Sequence, residues 1–246
     1  MTNRVPINKA VVLAAGRGMR MKNLTDDCPK PMLPLSGRPM LAHLIERMEE
    51  AGVREILVIT GYRAEVVEDY FRQHPPAVAR LSYRLQQPQN GTGSAALLGK
   101  EFVGNSPFVL TFGDILVDAD TYRAMFSVFD RCEAVLAVKR VDDPYRGAAV
   151  YVEGDRVTRI IEKPPQGTST THWNNAGIYC VGPGIFDELA RVGLSPRGEY
   201  ELTDAIHQMV AAGVAFGWHE ISGFWKDVGR PEDLPTAEEY LRGGAR

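Results

Sequence analysis

Apolar positions along the first half of the chain fall into two alternating rhythms. Residues 9–15 read Lys-Ala-Val-Val-Leu-Ala-Ala, a short unbroken run of the kind a fully buried strand makes. A loop bearing Gly16 follows. Residues 22–39 are polar and interrupted by prolines too often to form one helix. Leu41, Leu44, Ile45 and Met48 then recur at helical spacing, and Gly52 marks the helix end. Residues 55–60 predict a second buried strand. Val66, Val67, Tyr70 and Phe71 form another helical stripe, stopped at Pro75-Pro76. Strands are predicted near 81–85 and 107–112, with a helix over 93–102 between them.

This alternation predicts an α/β fold, a Rossmann-like, mostly parallel sheet with helices on both faces. Ligands of such sheets bind outside the carboxyl ends of the strands. The Gly16 loop and the Gly113-Asp114 pair both fall at such ends. The second half changes character. Residues 147–152 and 156–161 flank Glu153-Gly154-Asp155 as a hairpin. Residues 175–181 and 214–220 read as strands, and 199–212 and 231–241 as helices. No linker, repeat or composition shift forces a domain boundary.

Composition narrows the partners. The 246 residues are 44% hydrophobic and 24% charged, ordinary for a globular protein able to bury a core without disulfide or metal staples. A net charge of -3 gives no basic field for long nucleic acid, so an anionic ligand must be met by a local cluster. Cys28, Cys132 and Cys180 are scattered, make no Cys-x-x-Cys pair and fit a reducing compartment. Residues 1–8 lack the apolar stretch of a signal peptide, and no run approaches the ~20 residues of a membrane helix. A cytoplasmic protein bound to neither membrane nor nucleic acid is expected, as monomer or homodimer.

The candidate chemistry begins at Leu13-Ala14-Ala15-Gly16-Arg17-Gly18-Met19-Arg20. Glycines directly after a buried strand let backbone N–H groups turn toward an anion, and Arg20 adds a fork of donors suited to phosphate oxygens. A Rossmann fingerprint would need a third glycine where Met21 stands, and a Walker A loop would need Gly-Lys-Ser/Thr. Pro29-Lys30-Pro31 stiffens the backbone about a lysine, lowering the entropy lost when its ammonium engages a charge. Asp114 ends a buried strand, where a carboxylate suits magnesium, an ion that prefers one or two carboxylates plus phosphate oxygens and water. Asp118 and Asp120 read as ordinary turn or cap residues, and the five histidines show no metal spacing.

Residues 13–41 closely resemble the signature region of the sugar-1-phosphate nucleotidyltransferases, and the resemblance continues to about Leu234. Met19 stands where that family usually has Thr, and Asn23 where it has Pro; neither change removes a charge the chemistry needs. The resemblance implies a nucleotide-diphospho-sugar transferase fold with an inserted sugar-binding lobe. It implies a single domain over residues 1–246, nucleotide-binding to about 140 and sugar-phosphate-binding beyond, with no C-terminal β-helix. It further implies nucleotide contacts at Ala14, Ala15, Gly16, Gly18, Arg20, Lys30, Gln86, Gly91 and Thr92, with Arg20 and Lys30 catalytic. Gly147, Glu162, Lys163 and Asn175 would bind the sugar phosphate, and Asp114 and Asp227 would hold Mg2+.

The implied reaction transfers a nucleoside monophosphate from an NTP to a sugar 1-phosphate, releasing pyrophosphate. UTP or dTTP is favoured, because a glutamine amide at position 86 carries both a donor and an acceptor for an imide edge. Members of the family using GTP or CTP are the alternative. A non-catalytic nucleotide-sugar-binding subunit is the rival from another class, and it would be expected to lack Arg20 or a metal aspartate.

Overall fold

The computed structural model describes residues 5–243, so part of the 1–8 stretch lies outside the described residues. Its strands are β1 (Lys9–Leu13), β2 (Pro34–Leu35), β3 (Arg38–Pro39), β4 (Glu55–Thr60), β5 (Arg80–Leu85), β6 (Phe108–Phe112) and β7 (Ile115–Val117), followed by β8 (Ala134–Arg140), β9 (Ala148–Glu153), β10 (Arg156–Glu162), β11 (Trp173–Val181), β12 (Phe216–Glu220) and β13 (Trp225–Asp227). The helices are α1 (Met40–Glu50), α2 (Ala64–Gln73), α3 (Thr92–Leu97), α4 (Lys100–Val103), α5 (Ala119–Phe129), α6 (Ile185–Leu189), α7 (Leu202–Ala211) and α8 (Leu234–Gly243).

One mixed sheet organises the chain, in the order β10-β9-β11-β6-β1-β4-β5, with β8 and β12 branching from β11. The β6-β1-β4-β5 part is parallel, β12 is parallel to β8, and β11 runs antiparallel against β6. Side chains of a strand alternate between faces, so each run in this sheet feeds two cores. Ala10, Val12, Ile56 and Val58 pack with α1, α2 and α5; Val11, Leu13, Leu57 and Ile59 pack with α3, α6 and α7. Helices therefore cover both faces, as the apolar runs predict. A third, small core of Leu35, Met40, Leu116, Val228 and Ala237 seats the β7-β13 ribbon and α8.

Several elements depart from the sequence reading. The helix expected over 93–102 is broken at Leu98–Gly99 into α3 and α4. Gly99 lies so close to β1 that a Cβ would stand 2.9 Å from Val11 Cγ2. The helix expected from 199 starts at Leu202, because Tyr200 and Glu201 are extended against the loop before α3. Residues 115–140, left unassigned above, hold β7, α5 and β8. No helix of the described residues is long and apolar enough to cross a membrane.

Candidate active site

At the carboxyl ends of β1, β5 and β6 lies a cavity of about 550 Å³. It is lined by Ala14, Ala15, Gly16, Gly18, Arg20, Lys30, Gln86, Gly91, Thr92 and Asp114, so ten of the sequence-predicted positions meet in one place. Gly18 is needed there twice over. Its φ is +75°, and a Cβ would lie 2.7 Å from Lys30 Cβ, so the lysine stem packs directly on its α-carbon. Arg20 is exposed, and its guanidinium lies near Gly229 and Asp227.

Lys30 is only 6% exposed. Its ammonium bonds Asp114 Oδ2 and lies 3.8 Å from Asp227 Oδ1. The aspartates meet because β13 pairs antiparallel with β7, setting Asp227 opposite Ile115, while the N–H of Val228 donates to the carbonyl of Asp114 at 3.0 Å. The Asp227 carboxyl is held above the usual carboxylate range, first by burial and then by the charge of Asp114; Lys30 and Arg20 pull it the other way. Two carboxylates converging on one cation are an oxygen donor set for a hard divalent ion. Among the described residues no group of three or more His, Cys, Asp or Glu could hold a metal. A pair of carboxylates is what magnesium asks of a protein when its other ligands are water and phosphate oxygens.

At the far end of the cavity, Gln86 is 5% exposed. Its Nε2 donates to the carbonyl of Gly91 at 2.9 Å and to Ser94 Oγ at 3.0 Å. This corrects the expectation that the amide offers a base both a donor and an acceptor: both Nε2 hydrogens are engaged within the protein. Gly91 has φ +127°, and a Cβ there would lie 2.4 Å from the carbonyl oxygen of Tyr200.

Glu162 and Lys163 line a second cavity of about 540 Å³ with Arg197, Glu201 and Asp204. Burial lifts the Glu162 carboxyl to about 7; the hydroxyl of Thr203, donating at 3.1 Å, lowers it, and nearby Glu201 raises it. Lys163 has φ +41°, a strained conformation for a side-chain-bearing residue, and its N–H donates to the carbonyl of Gly147 at 2.7 Å. Gly147 is closed against Asn174, whose Oδ1 would lie 2.2 Å from a Cβ. The β11 register shifts between Asn175 and Tyr179, and Gly177 sits in that bulge with φ +75°. The bulge turns Asn175 so that Oδ1 accepts from the N–H of Gly177 and Nδ2 donates to Tyr179 Oη at 2.5 Å. The indole of Trp225 donates to the carbonyl of Ala176 at 3.0 Å, tying the bulge to the strand that carries Asp227.

Sequence reasoning missed the polar surroundings of Glu162. Arg197 donates to Glu201 Oε1 and lies 3.8 Å from Glu162 Oε1. Glu201 is 3% exposed and stands four residues from Arg197, but both precede α7, so that spacing carried no helical signal. Asp118, by contrast, stands at the N-cap position of α5 but accepts from the hydroxyl of Tyr240 instead of capping the helix, and Asp120, in the first turn of α5, pairs with Arg123 at 2.5 Å.

A model of the nucleotidyl transferase family matches residues 9–243. The bifunctional protein GlmU of Methanocaldococcus jannaschii is 36% identical over 233 residues, covering 94% of this chain and 54% of its own length. The chain thus spans about half the length of the GlmU relatives it matches. The UTP–glucose-1-phosphate uridylyltransferase AglF of Haloferax volcanii is 32% identical over 240 residues, covering 95% of this chain and 96% of its own. Among solved structures, a putative glucose-1-phosphate thymidylyltransferase of Bacillus anthracis superposes with a TM-score of 0.84 at 28% identity, over 95% of both chains. A UDP-glucose pyrophosphorylase complexed with UDP-glucose gives 0.86 at 24% identity over 97% of this chain and 99% of the other, which bears on the fold alone.

Proposed function

The chain belongs to the nucleotidyl transferase family, and from that premise we propose that it transfers a nucleoside monophosphate from UTP or dTTP to a sugar 1-phosphate. The observation that carries this reading is the convergence of the Gly16–Gly18 loop, Lys30 and Asp114 on one cavity that has Gln86 at its other end, with Asp227 brought up beside Lys30. Similarity to AglF along nearly the whole of both chains supports the substrate class. The scattered Cys28, Cys132 and Cys180, with no Cys-x-x-Cys pair, fit a reducing compartment and support work in the cytoplasm.

The acceptor's phosphate is already an anion and needs no general base. One of its oxygens attacks the α-phosphorus in line, a P–O bond forms there, and the bond to the β-phosphate oxygen breaks as pyrophosphate leaves. The barrier lies mainly in bringing anions together and in charge growing on the leaving group, so positioning and preorganised cations lower it. The Gly16–Gly18 amides and Arg20 hold the pyrophosphate end. Lys30 is held by the aspartates without substrate, and its ammonium neutralises the triphosphate when one enters. Lys163 faces the acceptor phosphate and Glu162 its hydroxyls. Asp114 and Asp227 would hold Mg2+, which supplies charge neutralisation at the phosphates.

The test is pyrophosphate release in a screen crossing five triphosphates with a panel of sugar 1-phosphates, with magnesium and with chelator. Release only with a sugar phosphate present supports the reading. No release from any pair, with nucleotide still bound, would favour a binding subunit instead.

A further inference from the structure

The direction of the Gln86 amide is settled by a group that cannot turn round. Amide oxygen and nitrogen are assigned from their partners, and an ambiguous partner leaves the assignment open. Here Nε2 faces the backbone carbonyl of Gly91 at 2.9 Å, an acceptor under any assignment. Reversing the amide would set two oxygens against each other. That carbonyl is itself held in place. The N–H of Tyr200 donates to the carbonyl of Asn90 at 2.9 Å, and the N–H of Gly93 donates to that of Tyr200 at 2.7 Å.

Ser94 takes the second Nε2 hydrogen at 3.0 Å. Its oxygen can receive because its own hydrogen goes elsewhere, to Asn90 Oδ1 at 2.6 Å or the carbonyl of Gly91 at 2.9 Å. No donor among the described residues reaches Gln86 Oε1, and Gln86 lines the donor cavity. The group left for a ligand is therefore an acceptor alone.

We propose that Ser94 is a specificity-determining positioning residue, which makes Gln86 read the donor base only through Oε1. The proposal rests on the donor-site reading above and deepens it. A base with a ring N–H at that position, such as uracil or thymine, is matched. Cytosine and adenine present a ring lone pair there and leave Oε1 facing it. An unmatched buried acceptor corresponds to about a tenfold to hundredfold preference for UTP over CTP. Without the Ser94 hydroxyl, the amide keeps its bond to the Gly91 carbonyl but can swing about that bond, which carries Oε1 off the ligand and brings the released N–H toward a ring lone pair such as that of cytosine.

The experiment measures kcat/KM for UTP and CTP with one accepted sugar phosphate in wild type, Ser94→Ala, Ser94→Thr and Gln86→Ala. The UTP/CTP ratio is expected to fall about fivefold or more in Ser94→Ala and to stay within about twofold of wild type in Ser94→Thr, which keeps the hydroxyl. KM for the sugar phosphate should hardly move in either, as a general loosening of the fold would not allow. An unchanged ratio in Ser94→Ala with a collapsed ratio in Gln86→Ala overturns the role of Ser94. An unchanged ratio in both overturns base reading by Gln86 as well. Equilibrium titration with UTP and CTP reads the same ratio without turnover. If turnover is absent but the binding ratio still depends on Ser94, the catalytic reading fails while the Ser94 proposal stands.

Discussion

Replacing Glu162 by Gln turns the surroundings of this carboxyl into a measurement. Burial first, then Glu201 and Asp204, hold the acid up, while Thr203 and Arg197 oppose them, and Lys163 Nζ stands 3.6 Å from Oε1. The balance lifts the acid from 4.5 to about 7. Once the carboxyl is ionised, that corresponds to roughly 3 kcal/mol of native-state destabilisation. The sign follows from proton binding. An unfolded chain loses this proton near 4.5 and the folded one near 7, so the folded state binds more protons across that window and stability falls as pH rises through it. Gln has no proton to lose. Scanning fluorimetry from about pH 5 to 8.5 should show the two proteins melting closest together at the acid end. The variant should then gain on wild type up to about pH 8, ending several degrees higher, at about 2–4 °C per kcal/mol for a chain of this size. A gap between the two melting curves that does not change with pH would refute the reasoning. At neutral pH this cost is native-state strain, which the sugar hydroxyls of the proposed acceptor would relieve on reaching the carboxylate.

Asp114→Asn and Asp227→Asn should each lower kcat at least about a hundredfold, since each removes half of the carboxylate pair, and near-normal turnover in either would remove that residue from the proposed metal site. Lys163→Ala should raise KM for the sugar phosphate about tenfold or more while leaving KM for the nucleotide nearly unchanged, a split read by varying each substrate separately; a loss confined to the nucleotide would put Lys163 in the wrong subsite. Gly91→Ala should destabilise the fold by about 2–4 kcal/mol in urea titration, because its φ is unfavourable for alanine and the new methyl would meet Tyr200; an unchanged midpoint would show that the loop gives way.

The sheet was legible where each element carries its own signal. Glu-Ile-Leu-Val-Ile-Thr over Glu55–Thr60 is a strand in the sequence and in the structure, and Leu41, Leu44, Ile45 and Met48 mark α1. Each aspartate could be named from its local motif, but their meeting could not be derived from periodicity. It depends on β7 and β13, three residues apiece, too short to show any. Arg197, Glu201 and Thr203 lie around the start of α7, where polar residues carry no apolar rhythm, so their gathering about Glu162 was invisible. Gln86 was expected to read a base with both ends of its amide, which the structure shows already engaged on the nitrogen side. Its partners lie five and eight residues ahead, and only the turn at Gly91 brings them back onto it.

The antiparallel seam between β11 and β6 makes both proposed substrate subsites parts of one plate. The donor loop leaves β1 at the middle of the sheet, while Glu162 ends β10 at its edge. Four strand spacings separate β10 from β1, roughly 20 Å of hydrogen-bonded backbone. A hinge between the halves would have to tear this ladder, so adaptation to a substrate falls to the loops above the plate. The same layout sets a direction for divergence. The proposed triphosphate end is built on interior strands, where a change disturbs neighbours on both sides. The proposed acceptor end stands on the outermost hairpin, which can be recut for another sugar while the proposed phosphate-handling centre keeps its shape.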